Sequence, residues 1–158
     1  MNRRKIVSAF EWVRPAGIFV IIFLANYFGS TPVSRFHILA PFLVMLMSGT
    51  VAFESLFLGE AASRKIGYPH NRAYQIQSGL ANAATAFTAW IVFLLNWGTH
   101  AEATIVVAML SFFSFSAVNH LMTALTLGNL SPVNLMRPLL ALLLVALMVP
   151  NMVQALRQ

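Results

Sequence analysis

Residues 38–58 read ILAPFLVMLMSGTVAFESLFL. The stretch is long enough to cross ~30 Å of hydrocarbon as a helix, and it carries a single ionisable group, Glu54. Tyr74 to Leu95 and Ala103 to Leu127 have the same character. Two shorter runs flank them. Ala16 to Phe28 ends at the turn-like Gly29-Ser30-Thr31-Pro32 and extends backward through Val7, Phe10, Trp12 and Val13 if Arg14 snorkels and Pro15 kinks the helix. Leu139 to Val149 is preceded by Pro138, suited to a first helical turn, and continues past Pro150 to Leu156. The expectation is an all-α integral membrane helical bundle, one domain over residues 1–158. Its five spans lie at about 7–28, 36–60, 74–95, 103–127 and 138–156, or four if the first segment is cleaved or interfacial.

Composition agrees. Of 158 residues, 59% are hydrophobic and only 9% charged, against ~25% charged in soluble domains. Mean hydropathy is +0.76. So few charged side chains cannot coat a soluble core of this size, and the same count excludes disorder. The absence of Cys removes disulfides, thiolate metal sites and Cys nucleophiles. A net charge of +6 raises nucleic acid as a partner, but the basic residues sit between apolar runs instead of forming a stripe, so none is expected.

Those basic residues report direction. With five spans, Arg3, Arg4, Lys5, Arg14, Arg64, Lys65, Arg72 and Arg137 share one side, and only Arg35 and Arg157 occupy the other. Without the first span the split is nearly even. The positive-inside rule therefore favours five spans in a prokaryotic inner membrane, with the N-terminus cytoplasmic and the C-terminus outside. The basic start followed by an apolar run also resembles a signal peptide, yet Ala25 to Ser30 lacks a small-x-small cleavage site, which favours a retained anchor.

Small residues mark close packing: Ser48, Ala52, Ser55, Gly59 and Ala62 on the second span, and Ser78, Gly79, Ala81, Ala83, Ala84 and Ala86 on the third. Phe112, Phe113 and Phe115 and the eight Met residues read as packing.

Polar side chains inside the spans are the candidate site. At 1.5 Å per residue Glu54 falls ~6 Å above the inner edge and His120 at nearly the same level, with Gln77 at ~4 Å and Asn82 at ~12 Å. Asn119 adjoins His120. Ionisable groups at such depth are functional hypotheses that need a partner. The expected partnership is Glu54 with His120, a carboxylate holding an imidazole in one tautomer and able to exchange a proton with it. The plainer reading is an inter-helical hydrogen bond with Gln77 and Asn82 as polar glue.

The remaining features are modest. Glu60 is explained by Arg64 at i+4. No metal site is expected, since no Glu-x-x-His pair occurs, and no bis-histidine haem, since His37, His70 and His100 lie at span ends or in loops. The cofactor is left unknown. His100 and Glu102 belong to an external loop anchored by Trp97. The segment Gly128-Asn129-Leu-Ser-Pro-Val-Asn134 forms a short inner connection beside the Glu54 layer. Arg64, Lys65, Arg72 and Arg137 form a basic inner rim for anionic lipid headgroups.

The pattern Glu54, Ile66-Gly67-Tyr68, Tyr74-Gln75-Ile-Gln77-Ser-Gly79, Asn119-His120 and Asn129 to Asn134 resembles a family of small prokaryotic multi-span membrane proteins of unknown function, over roughly Glu54 to Leu139. In that family a Phe and a second Glu stand where this chain has Tyr74 and Gln77. The resemblance implies that Glu54, Gln75, His120, Asn129 and Asn134 form a site. Three functions are carried forward: binding of a small ligand, ion or proton at the inner-leaflet layer; service as a structural or accessory subunit, in a homo-oligomer or a larger membrane complex; and a membrane enzyme acting on a lipid or quinone. The first leads, and catalysis is the least favoured.

Overall fold

The computed structural model describes residues 3–158, with side chains throughout except at 3–5, 8, 11 and 133; the side chains of Arg3, Arg4 and Lys5, counted above for topology, fall outside that description. Among the described residues the chain is helical without a strand: α1 (Arg3–Phe28), α2 (Pro32–Phe57), α3 (Gly59–Ile66), α4 (Arg72–Leu94), α5 (Thr99–Leu127) and α6 (Pro132–Leu156).

Each boundary has a local cause. Thr31 and Ser34 form a reciprocal capping box in front of α2, with Pro32 at its first turn. Asn71 caps α4 by accepting the Tyr74 N–H, and Ser131 with Pro132 opens α6 in the same manner. Gly67 and Gly128 end α3 and α5 in the left-handed region, at φ 74° and 65°.

Three expectations change here. The second span stops at Phe57, and a separate α3 starts at Gly59, because Glu60, Arg64 and Lys65 give that short helix a charged face that leaves the apolar run. The small-residue stripe is thereby split: Ser48, Ala52 and Ser55 stay on α2, while Gly59 and Ala62 move to α3. The last helix begins at Pro132, well before the expected 138, because Ser131-Pro132 supplies a cap and a first-turn proline; Pro138 lies inside the helix. Arg14 does not snorkel. It turns toward α2, where a carboxylate offers a better partner than the interface.

The turns after α1, α4 and α5 are short, so consecutive long helices run antiparallel. α2 is the hub and touches each of the other five helices. Its buried Phe36, Leu43, Val44 and Met47 meet Val92 of α4, Val106 and Met109 of α5, and Leu144 and Met148 of α6. The approach to α4 is close. A Cβ on Gly79 would come within 2.7 Å of the Leu56 side chain and 3.2 Å of Ser55, whereas one on Gly49 would meet only Ala86 at 3.9 Å.

α2, α5 and residues 134–156 of α6 are long and apolar enough to cross a membrane, and Trp12–Phe28 of α1 is a shorter apolar helix. Large apolar side chains cover the outside, among them Phe19, Leu80, Phe87, Leu125 and Leu142. Such a surface suits lipid and points to membrane association. Gly79→Ala is expected to lower stability by about 1–3 kcal/mol through overpacking, whereas Gly49→Ala should be tolerated; thermal unfolding of the two variants in detergent checks both.

Candidate functional site

A cavity of about 420 Å³ lies toward the end of the bundle where α2 finishes and α4 starts. Its floor is α2 (Met47, Val51, Glu54 and Ser55). α1 contributes Arg14, α3 and its following turn contribute Gly59, Ser63 and Tyr68, and α6 contributes Arg137 and Leu140. The flanks are the first turns of α4 (Tyr74, Gln75 and Ser78) and residues 112–120 of α5.

The first polar group is an ion pair. Arg14 donates to Glu54, and its Nε donates to Thr50 Oγ1 at 2.9 Å. Both charged side chains are nearly withdrawn from the surface, at 14% and 12% exposure. In such surroundings each ion is tolerable only because the other is present.

The second group is centred on His120, and its tautomer follows from its neighbours. Arg137 has donors only, and its guanidinium lies 2.5 Å from His120 Nε2, so that nitrogen accepts and carries no proton. The proton is therefore on Nδ1, which lies 2.9 Å from Asn134 Oδ1 and 2.9 Å from the Tyr68 oxygen. Asn134 supports this assignment independently, since its Nδ2 donates to the Asn129 carbonyl at 3.2 Å and weakly to that of Ile66 at 3.4 Å, leaving Oδ1 for the imidazole. Tyr68 also stacks on the ring, with centroids 5.4 Å apart. Arg137 lies in electrostatic reach of Arg14 and Glu54, which joins the two groups into one charge system.

Glu54 and His120 thus face one cavity, but the expected bond between them does not form. Arg14 takes the carboxylate, and Tyr68, Asn134 and Arg137 take the imidazole. The reason is geometric: a long guanidinium from α1 reaches the acid, and the early start of α6 puts Arg137 and Asn134 beside the ring.

The other named residues divide. Gln75 is buried and donates to the Gly59 carbonyl at 2.8 Å and Ser63 Oγ at 2.6 Å, while its Oε1 has no partner among the described residues. Asn129 ties the α5–α6 turn to the end of α3 through the Ile66 carbonyl at 2.8 Å. Asn119 stands exposed at the cavity's edge. Asn82 is buried but bonds back to the Ser78 carbonyl of its own helix, and it does not line the cavity. Gln77 points out to the surface, two residues and so over half a turn from Gln75. Neither Asn82 nor Gln77 joins the Glu54 layer.

The basic rim separates in the same way. Arg64 is exposed and bonds Glu60 at 2.6 Å, and Lys65 is exposed. Arg72 donates to the carbonyls of Ser55 and Leu56 and so caps the end of α2. Arg137 leaves the rim for the cavity.

Sequence reasoning missed Arg14 and Tyr68 as site residues and put Arg137 on the headgroup rim instead of the cavity wall. For the two arginines the signal was a guanidinium inside or beside an apolar run. It also missed an acid–imidazole pair at the opposite end. Glu102 was read as part of an external loop, but α5 already starts at Thr99, so Glu102 sits buried in the first turn at 1% exposure and meets His37 Nδ1. His37 is further stacked on Phe93.

Comparison with known families adds one finding. A model for a family of unknown function, DUF6790, matches residues 13–157. The chain belongs to that family. The match takes in Arg14, Glu54, Tyr68, Gln75, His120, Asn134 and Arg137, so the whole cavity lies inside the DUF6790 region. No curated protein and no solved structure matches the chain.

Removing one ion of the first pair tests the electrostatic argument. Arg14→Ala should cost about 3–5 kcal/mol by stranding the Glu54 carboxylate, and the double variant Arg14→Ala with Glu54→Gln should recover much of that loss; thermal unfolding reads both. At the other end His37→Ala should destabilise by about 1–3 kcal/mol, because the buried Glu102 loses a hydrogen-bond partner, with no effect on ligand binding at the cavity.

Proposed function

We propose that this DUF6790 member is a five-span inner-membrane protein whose inner-leaflet cavity binds a small ligand. The observation that carries the reading is the cavity of about 420 Å³ with two guanidiniums, a carboxylate, two phenols and an imidazole on its wall. That size falls in the range of small-molecule sites, which combine a mostly apolar lining with a few placed polar groups. A purely structural bundle gains nothing by holding Arg14, Glu54, His120 and Arg137 around open space.

Three helices supply spans by length and composition. α1 and α4 complete five in this reading, since both pack along α2 and present apolar side chains outward. Arg14 and Arg137 turn into the cavity, so the topological bias rests on Arg3, Arg4, Lys5, Arg64, Lys65 and Arg72 against Arg35 and Arg157. This keeps the N-terminus cytoplasmic and the C-terminus outside. Anionic headgroups are then the natural neighbours of Arg64 and Lys65.

An accessory-subunit role is favoured by one feature, the exposed face of α4 that carries Leu80, Phe87, Trp90 and Leu94. Native mass spectrometry of the protein extracted in its own lipids separates the two. A copurifying small molecule, lost in Glu54→Gln and His120→Ala, is expected; a stoichiometric partner protein with no small molecule would replace ligand binding by the accessory role. Reporters fused to each end should read cytosol for the N-terminus and exterior for the C-terminus, and two cytosolic ends would remove the five-span count.

A further inference from the structure

We propose that the cavity takes a phosphate monoester head, carried by a lipid that enters sideways between α4 and α5. This rests on the ligand-binding reading above and gives the ligand its chemistry.

Charge comes first. The wall presents Arg14 and Arg137 against one carboxylate, Glu54, while His120 contributes no charge in the tautomer its neighbours impose. Among the described residues one positive charge is unmatched by any acidic side chain of the wall. It belongs to Arg137, whose contact is a neutral imidazole nitrogen. A half-buried guanidinium with N–H groups to spare is a recognition element for planar or tetrahedral oxyanions, which it binds through paired hydrogen bonds.

The hydroxyl of Tyr68 adds a directed donor. His120 Nδ1 already bears a proton, so the phenol oxygen can only accept there, and its own O–H is left to point elsewhere. Among the described residues no acceptor takes it. Ser55, Ser63 and Ser116 supply further hydroxyls along the wall. The unmatched donors thus come from a cation and a phenol.

The route follows from the part of the wall that α4 and α5 supply. Tyr74 on α4 and Phe112 and Phe115 on α5 line the cavity yet are exposed at 66%, 41% and 74%. Aromatic side chains that border a polar cavity and also face outward at membrane depth fit acyl chains on one side and a headgroup on the other. A water-soluble phosphate needs no such border.

Titration of the purified full-length chain in detergent tests the proposal. The probes are a short-chain phosphatidic acid, the phosphatidylcholine of the same chains and inorganic phosphate, followed by calorimetry and thermal shift. Phosphatidic acid should bind at least about tenfold more tightly than either of the others, and its affinity should fall as salt rises. Arg137→Gln should weaken it by about tenfold or more, Arg137→Lys by less, and Tyr68→Phe, which keeps the ring stacking and the fold, by about threefold to tenfold. Equal binding of phosphatidylcholine would overturn recognition of a phosphate monoester while leaving a ligand-binding cavity in place. Inorganic phosphate binding as tightly as the lipid would overturn the sideways lipid route. Wild-type affinity in both Tyr68→Phe and Arg137→Gln would overturn the assignment of the donors. Failure of every probe, together with native protein that carries no small molecule, would remove the ligand-binding reading as well.

Discussion

The ion pair between Arg14 and Glu54 governs the cavity end of this bundle. A carboxylate in the last turn of α2 has no partner on its own helix, and in an apolar environment it must be neutralised or matched. α1 supplies the match. The pair binds the N-terminal helix to the hub through charge as well as through contacts such as Phe10 with Phe53, whose rings stack at 4.8 Å. It also leaves His120 free of the acid, so the imidazole is oriented by neutral groups and by a second guanidinium.

From that constraint the rest of the site follows. Asn134 orients the ring, Asn129 orders the turn that carries Asn134, and Gly67 leaves room for the Asn129 amide, which a Cβ there would approach to 2.9 Å. α3 is the piece that closes this arrangement. It is too short to span a membrane, and it lies across the cavity end, where its last turn and Tyr68 form part of the wall. Gly59 plays the corresponding role for Gln75, since any side chain there would displace the amide from its two hydrogen bonds.

The two ends of the bundle solve the same problem in different ways. At one end Glu102 is buried against a single His at the start of α2, a compact pair. At the other, two cations, one acid and one imidazole surround open space. Polar groups at both ends sit on α2 and α5, the helices that were most legible as apolar runs, which shows how little the mean hydropathy of a helix says about the few positions that matter chemically.

Length, composition and the spacing of apolar runs determined the helical class, the number of long helices and the approximate position of each, because a long apolar run is a local property of the chain. Glu54 and His120 were legible for a related reason: a lone ionisable residue inside such a run stands out wherever it points. Their partners were not. Whether Arg14 goes to the interface or to a carboxylate depends on which helix lies opposite and in what rotation, and a shift of six residues in the start of α6 decides whether Arg137 lines a rim or a cavity. The burial of Glu102 and the exposure of Gln77 were hidden likewise. Only the tertiary structure sets these, since a side chain's partner is fixed by the azimuth and register of neighbouring helices, which no single stretch of sequence encodes.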